Sequence, residues 1–114
     1  MHIALAQTDT DLARCFPVMA QLRPHLIEAE FVARIRRMQT EGFHLAFVDD
    51  GDAVRAVAGY RYQDKLVSGR HLYVDDLVSD STHRSRGHGA KLLQWLCQEA
   101  RAHGCTQGYF LPAN

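Results

Sequence analysis

The run Arg84-Ser-Arg-Gly-His-Gly-Ala-Lys-Leu holds the residues best placed to do chemistry in this chain. Arg84, Gly87 and Gly89 give the spacing Arg-x-x-Gly-x-Gly, and a helix-patterned segment follows at once. The first amides of a helix have no partner inside it, and the helix dipole puts partial positive charge there. Glycines let the backbone approach a phosphate closely and take φ > 0 where needed. Arg84, Arg86 and Lys91 add positive charge around the same spot. The chemistry this predicts is the grip of a pyrophosphate.

The elements that must position this loop are read from periodicity. Ile3 to Ala6 is a short first strand. Asp9 or Thr10 caps a helix with Leu12, Cys15, Phe16, Met19 and Leu22 on its apolar face, kinked or broken at Pro17. A second helix runs from about Glu28 to Thr40. The period then changes: His44 to Val48 and Ala53 to Tyr62 flank Asp49-Asp50-Gly51-Asp52, a hairpin signal. Val54, Ala56, Ala58, Tyr60 and Tyr62 should share one face, and the interior Gly59 suggests a bulge or a close approach. Asp64 to Gly69 reads as a turn and Leu72 to Val78 as a central strand. After the loop comes a helix from about Gly87 to His103, with Leu93, Leu96, Cys97 and Ala100 as its core stripe and Gly104 past its end. Thr106 to Leu111 is a last strand. The order β-α-α-β-β-β-α-β is an α/β arrangement.

A chain of 114 residues, 46% hydrophobic and 23% charged, is expected to form one domain over 1–114. Thirteen basic and thirteen acidic residues cancel, which argues against nucleic acid or a membrane surface as partner. The arginines at 34, 36 and 37 then read as a solvated face, not a DNA-reading helix. No run has the length of a membrane span or the pattern of a signal peptide, so cytoplasmic localisation is expected. Three cysteines without a C-x-x-C pair argue against a disulfide framework or a zinc site. Of seven histidines only His83 and His88 fall near the motif, without metal-ligand spacing, so no metal is expected.

Tyr73-Val-Asp-Asp-Leu-Val-Ser-Asp followed by Arg84-Ser-Arg-Gly-His-Gly-Ala-Lys-Leu-Leu resembles the acetyl-CoA-binding core of the GNAT superfamily of N-acetyltransferases. The match lies at Arg84, Gly87 and Gly89, at Val78, and at Leu92 and Leu93. The upstream order fits too, with the binding core at about 71–104. The resemblance implies a mixed central sheet with flanking helices and acetyl-CoA as co-substrate. It also implies acetyl transfer to a primary amine of a small molecule or protein. Arg84, Ser85, Arg86, Gly87, His88, Gly89 and Ala90 would hold the pyrophosphate. Leu77, Val78 and Ser79 would pair with the pantetheine arm as an added strand, and an amide near Val78 would stabilise the oxyanion. Members similar to this chain usually continue into another helix and a hairpin, often with a tyrosine that protonates the leaving thiolate. Because this chain stops at Asn114, the resemblance implies a C-terminally truncated domain with an apolar edge. That edge predicts a homodimer or higher assembly.

Amine acetylation needs a deprotonated amine, a stabilised oxyanion and a released thiolate. Asp75 and Asp76 are adjacent and should face opposite sides of their strand. Asp75 is the candidate base, directly or through water, with pairing to Arg61 or Arg70 as the structural alternative. Tyr73 and Tyr109 are substitute acids, each of which also reads as a core tyrosine with a hydrogen-bonded tip. His88 reads as a solvated loop residue and Cys97 as buried and inert. A second function fits the same residues: a non-catalytic acyl-CoA-binding or structural module that lost turnover with its C-terminal segment.

Overall fold

Alternating apolar residues and two helical periods build a mixed sheet with helices on both faces. The computed structural model describes residues 1–84 and 86–105, and the backbone of 109–110. In chain order the elements are β1 (His2–Leu5), α1 (Asp9–Leu22), α2 (Glu28–Gln39), β2 (His44–Asp49), β3 (Val54–Lys65), β4 (Gly69–Ser79), α3 (His88–Ala102) and β5 (Tyr109–Phe110). A single 3-10 turn, Ser81–His83, joins β4 to the loop before α3. The strands lie in the order β1-β2-β3-β4-β5. The first four are antiparallel, and β5 runs parallel to β4. This is the expected α/β order.

Local signals set the helix limits. Thr8, one residue before the expected cap, accepts a hydrogen bond from the Asp11 amide at 3.1 Å, and Asp9 and Asp11 meet the positive end of the dipole. α1 runs unbroken through Pro17. Proline deprives the Ala13 carbonyl of its donor, but both residues are exposed, so solvent can satisfy that carbonyl. At the end of α3, Gly104 has φ +75° and the Cys105 amide bonds the Ala100 carbonyl at 3.0 Å. That closes the helix as expected.

The sheet separates two cores. Leu12, Cys15, Met19, Phe31, Ile35 and Phe43 pack with Phe47 and Val57 on the α1/α2 face. Ala58, Tyr60, Leu72 and Val74 pack with Leu92 and Leu96 on the α3 face. The α3 stripe runs through Leu92, Leu96 and Ala100; Leu93 and Cys97, expected to be buried, are half-buried.

Two bulges break the strand alternation. Val48 pairs with Ala56 but Asp49 with Val54, which leaves Arg55 over. Val54 therefore joins the α1/α2 core while Ala56 faces α3; the expected common face fails there. The second bulge lies in β4, where Gly59 pairs with Asp76 and Tyr60 with Val74. Asp75 is the extra residue. β3 and β4 also extend past the expected limits to a short turn at 66–68, because polar Gln63, Asp64, Arg70 and His71 continue the ladder.

Candidate active site

Beyond the second bulge, β4 turns free backbone outward. The Asp80 amide donates to the Arg55 carbonyl at 2.7 Å. In an antiparallel ladder the bonded residues alternate, so Val78 also turns its amide to β3 while Leu77 and Ser79 turn theirs away. Among the described residues β5 pairs with β4 only at Leu72 and Tyr73. The outer edge of Leu77 to Ser79 is thus open to an added strand. Val78 itself is buried on the α1/α2 face.

That edge leads into the glycine loop. Gly87 takes φ +80° as the N-cap of α3, and its carbonyl accepts from the Lys91 amide at 3.0 Å. The amides of His88, Gly89 and Ala90 lie in the first turn, without helical partners. A Cβ on Gly89 would stand 2.6 Å from Ser79 Oγ, so a side chain there would have to displace that hydroxyl or the first turn of the helix. Arg84, Arg86, Ala90 and Lys91 are exposed around it. Ser85 lies outside the described residues. Sequence reasoning put His88 in solvent, but it is only 9% exposed and its Nδ1 is buried without a hydrogen-bond partner among the described residues.

Asp80 fixes the loop's starting point, a role that sequence reasoning missed although Asp-Ser-Thr is itself a capping signal. Its carboxylate accepts from Gln21 Nε2 of α1 at 3.2 Å, from the Thr82 amide at 3.2 Å and from Arg55 at 3.2 Å. Burial alone would raise this carboxyl, but those bonds outweigh it and lower the pKa from 3.8 to about 2.

The bulge at Asp75 also decides where the paired carboxylates go. Both lie on the α1/α2 face, not on opposite faces as expected, because the extra residue shifts the alternation by one. Asp75 is bound by Arg61 Nε at 2.9 Å, and that guanidinium lies over the Phe43 ring. Asp76 Oδ1 is bound by Arg23 Nε at 2.8 Å, while Arg23 also donates to the Asp75 carbonyl at 3.2 Å. Arg70, the other partner considered for Asp75, instead bonds the His103 carbonyl. Gly59, opposite Asp76, makes room for this group: a Cβ there would meet Phe43 Cζ at 2.5 Å and Asp76 Oδ2 at 3.0 Å. Tyr73 is half-buried on β4, opposite Arg61. The side chain of Tyr109 lies outside the described residues.

Asp76, and not Asp75, walls a cavity of about 260 Å³ between α1, α2 and β4. Its floor is apolar, with Met19, Phe31, Ile35 and Phe43 buried, and Arg23, His25 and Arg34 stand at the sides. On β4, Asp76 precedes Leu77 directly, so the cavity adjoins the open strand edge. No group of side chains among the described residues has the makings of a metal site.

A profile of the Acetyltransferase (GNAT) family matches residues 5–114. The chain belongs to the GNAT family. It is 29% identical over 105 residues to an uncharacterized N-acetyltransferase of Bacillus subtilis, YhdJ, a match that covers 91% of this chain and 74% of that protein. The fold of this GNAT acetyltransferase is similar to that of a GNAT family acetyltransferase of Staphylococcus aureus, with TM-score 0.87 and 14% identity, covering 99% of this chain and 86% of that one. It is also similar to glucosamine-6-phosphate N-acetyltransferase of Arabidopsis thaliana, with TM-score 0.80 and 18% identity, covering 100% and 84%. At such identities the solved structures speak for the fold alone. Family and relative together make the chain an acetyltransferase.

Proposed function

We propose that this GNAT acetyltransferase transfers an acetyl group from acetyl-CoA to a primary amine. The observation that carries this reading is the continuity of three parts: the glycine loop at α3, the open edge of β4 and the cavity at Asp76. The loop from Arg84 to Ala90 takes the pyrophosphate on its amides, with Arg84 and Arg86 adding charge. The pantetheine arm lies along Leu77, Val78 and Ser79. The Leu77 amide, turned outward beside Val78, donates to the thioester oxygen as it becomes an oxyanion.

The acceptor amine sits in the cavity. Asp76 holds the ammonium and takes its proton, directly or through water, while Asp75 keeps Arg61 in place beside it. The candidate base thereby moves one residue from the position the sequence suggested, since Asp76 is the carboxylate that lines the cavity. The amine nitrogen attacks the thioester carbon, the C–S bond breaks, and the thiolate leaves with a proton from Tyr73 or water. Cytoplasmic residence and a homodimer formed through the outer edge of β5 belong to the same reading. No helix among the described residues is long and apolar enough to cross a membrane, and Cys15, Cys97 and Cys105 are unpaired.

Calorimetry with acetyl-CoA, followed by thiol release with a panel of amines, tests the reading. Binding to the wild type, its loss in Gly87→Val, and thiol release that depends on an amine are expected. Binding without release for every amine would select the acyl-CoA-binding module instead.

A further inference from the structure

We propose that the acceptor is an amine that carries its own carboxylate and a compact apolar body, as an apolar amino acid does, and not a polyamine. This rests on the acetyl-transfer reading for the role of the cavity. An acidic pair at positions 75 and 76 would, by itself, suggest a site for multiply cationic amines. The structure removes that option by charge. Arg61 neutralises Asp75 and Arg23 neutralises Asp76, each at under 3 Å. A second or third ammonium would find no further carboxylate, since Asp76 is the only acidic residue among the described residues that line the cavity, against Arg23 and Arg34.

Arg34 has the opposite character. It projects from α2 into the cavity lining, is exposed, and forms no ion pair or hydrogen bond with the described residues. Arg23 takes Asp76 Oδ1 and leaves Oδ2 without a hydrogen bond among the described residues, so the cavity offers one acceptor for an ammonium and, at Arg34, one donor group for an anion. A ligand whose single ammonium shares Asp76 with Arg23, through Oδ2, and whose carboxylate meets Arg34 satisfies both groups, and guanidinium suits a carboxylate's fork geometry. The rest of the ligand meets Met19, Leu26, Phe31, Ile35, Met38 and Phe43, which reward apolar atoms with dry contact. A volume of about 260 Å³ lies below the roughly 300–1,000 Å³ of drug-sized sites, so that body is small.

Calorimetry on the whole chain with saturating CoA tests this with four probes: L-phenylalanine, L-phenylalaninamide, phosphoethanolamine and spermidine. L-Phenylalanine should bind at least tenfold more tightly than its amide, and Arg34→Ala should erase that difference while Arg34→Lys retains part of it. Because Arg34 is exposed and unpartnered, both variants should melt with the wild type. Equal binding of the amide, tighter binding of phosphoethanolamine or spermidine, an unchanged preference in Arg34→Ala, or no binding of any probe would each overturn the assignment. Thiol release with acetyl-CoA on the same samples separates the two readings. If L-phenylalanine binds with the stated pattern and no thiol appears, acetyl transfer fails and the cavity's ligand class stands.

Discussion

Gly89 and Ser79 meet closely in the proposed donor site. A methyl at residue 89 would meet Ser79 Oγ at 2.6 Å but Ser79 Cβ only at 4.0 Å. Gly89→Ala should therefore weaken acetyl-CoA binding about tenfold by pushing the first turn of α3 off β4, and Ser79→Ala in the same chain should restore most of it. Titration calorimetry on the two variants reads this directly, and a double variant as weak as the single one would show that the contact is not the cause. Asp76 gives a second test. Asp76→Asn keeps the shape and removes the negative charge, so kcat for thiol release should fall about 100-fold, the scale of a lost general base, with acetyl-CoA affinity unchanged. Asp75→Asn, away from the cavity wall, should cost less. Both glycines were legible from spacing alone, since only a residue without a side chain suits φ +80° at 87 or the close approach at 89. The faces of the two aspartates were not legible, because they depend on a bulge.

At the scale of elements, helices and strands were readable because burial imposes a period of about 3.6 or 2 on the sequence. A bulge belongs to a pair of strands and leaves no mark on either strand's own pattern. The faces of Val54, Asp75 and Asp76 were misread for that reason. Pro17 suggested a break that α1 does not show: its cost depends on whether the Ala13 carbonyl meets water, and sequence does not show which side is wet. The junction of α1, β3 and β4 at Asp80 carries a pH prediction. Its carboxyl is lowered in the fold, so the stability it gives is full above the unfolded pKa near 4 and is lost as pH falls toward about 2. Thermal melts should show Asp80→Asn less stable than the wild type by several degrees at pH 7, with the gap closing across that acid window. A gap that persists below pH 2 would mean the loss is steric.

For the whole molecule, the proposed homodimer rests on balanced charge and on a sheet edge at β5. Thirteen cationic and thirteen anionic residues leave no net field to drive copies apart. Among the described residues β5 is the last strand of the sheet, and the proposed pairing runs along its outer edge. Sedimentation at high micromolar concentration should show a dimer, and a single monomeric boundary would count against pairing through that edge. The bulge in β4 has a genetic corollary. Replacing Asp75 keeps the bulge, whereas losing its codon would remove it and leave Gly59 opposite Asp76 and Tyr60 opposite Val74, so that Asp76 to Ser79 keep their faces. Point variants at 75 and the one-codon deletion should both stay soluble and melt cooperatively, and a deletion that aggregates would show that the fold needs the bulge itself.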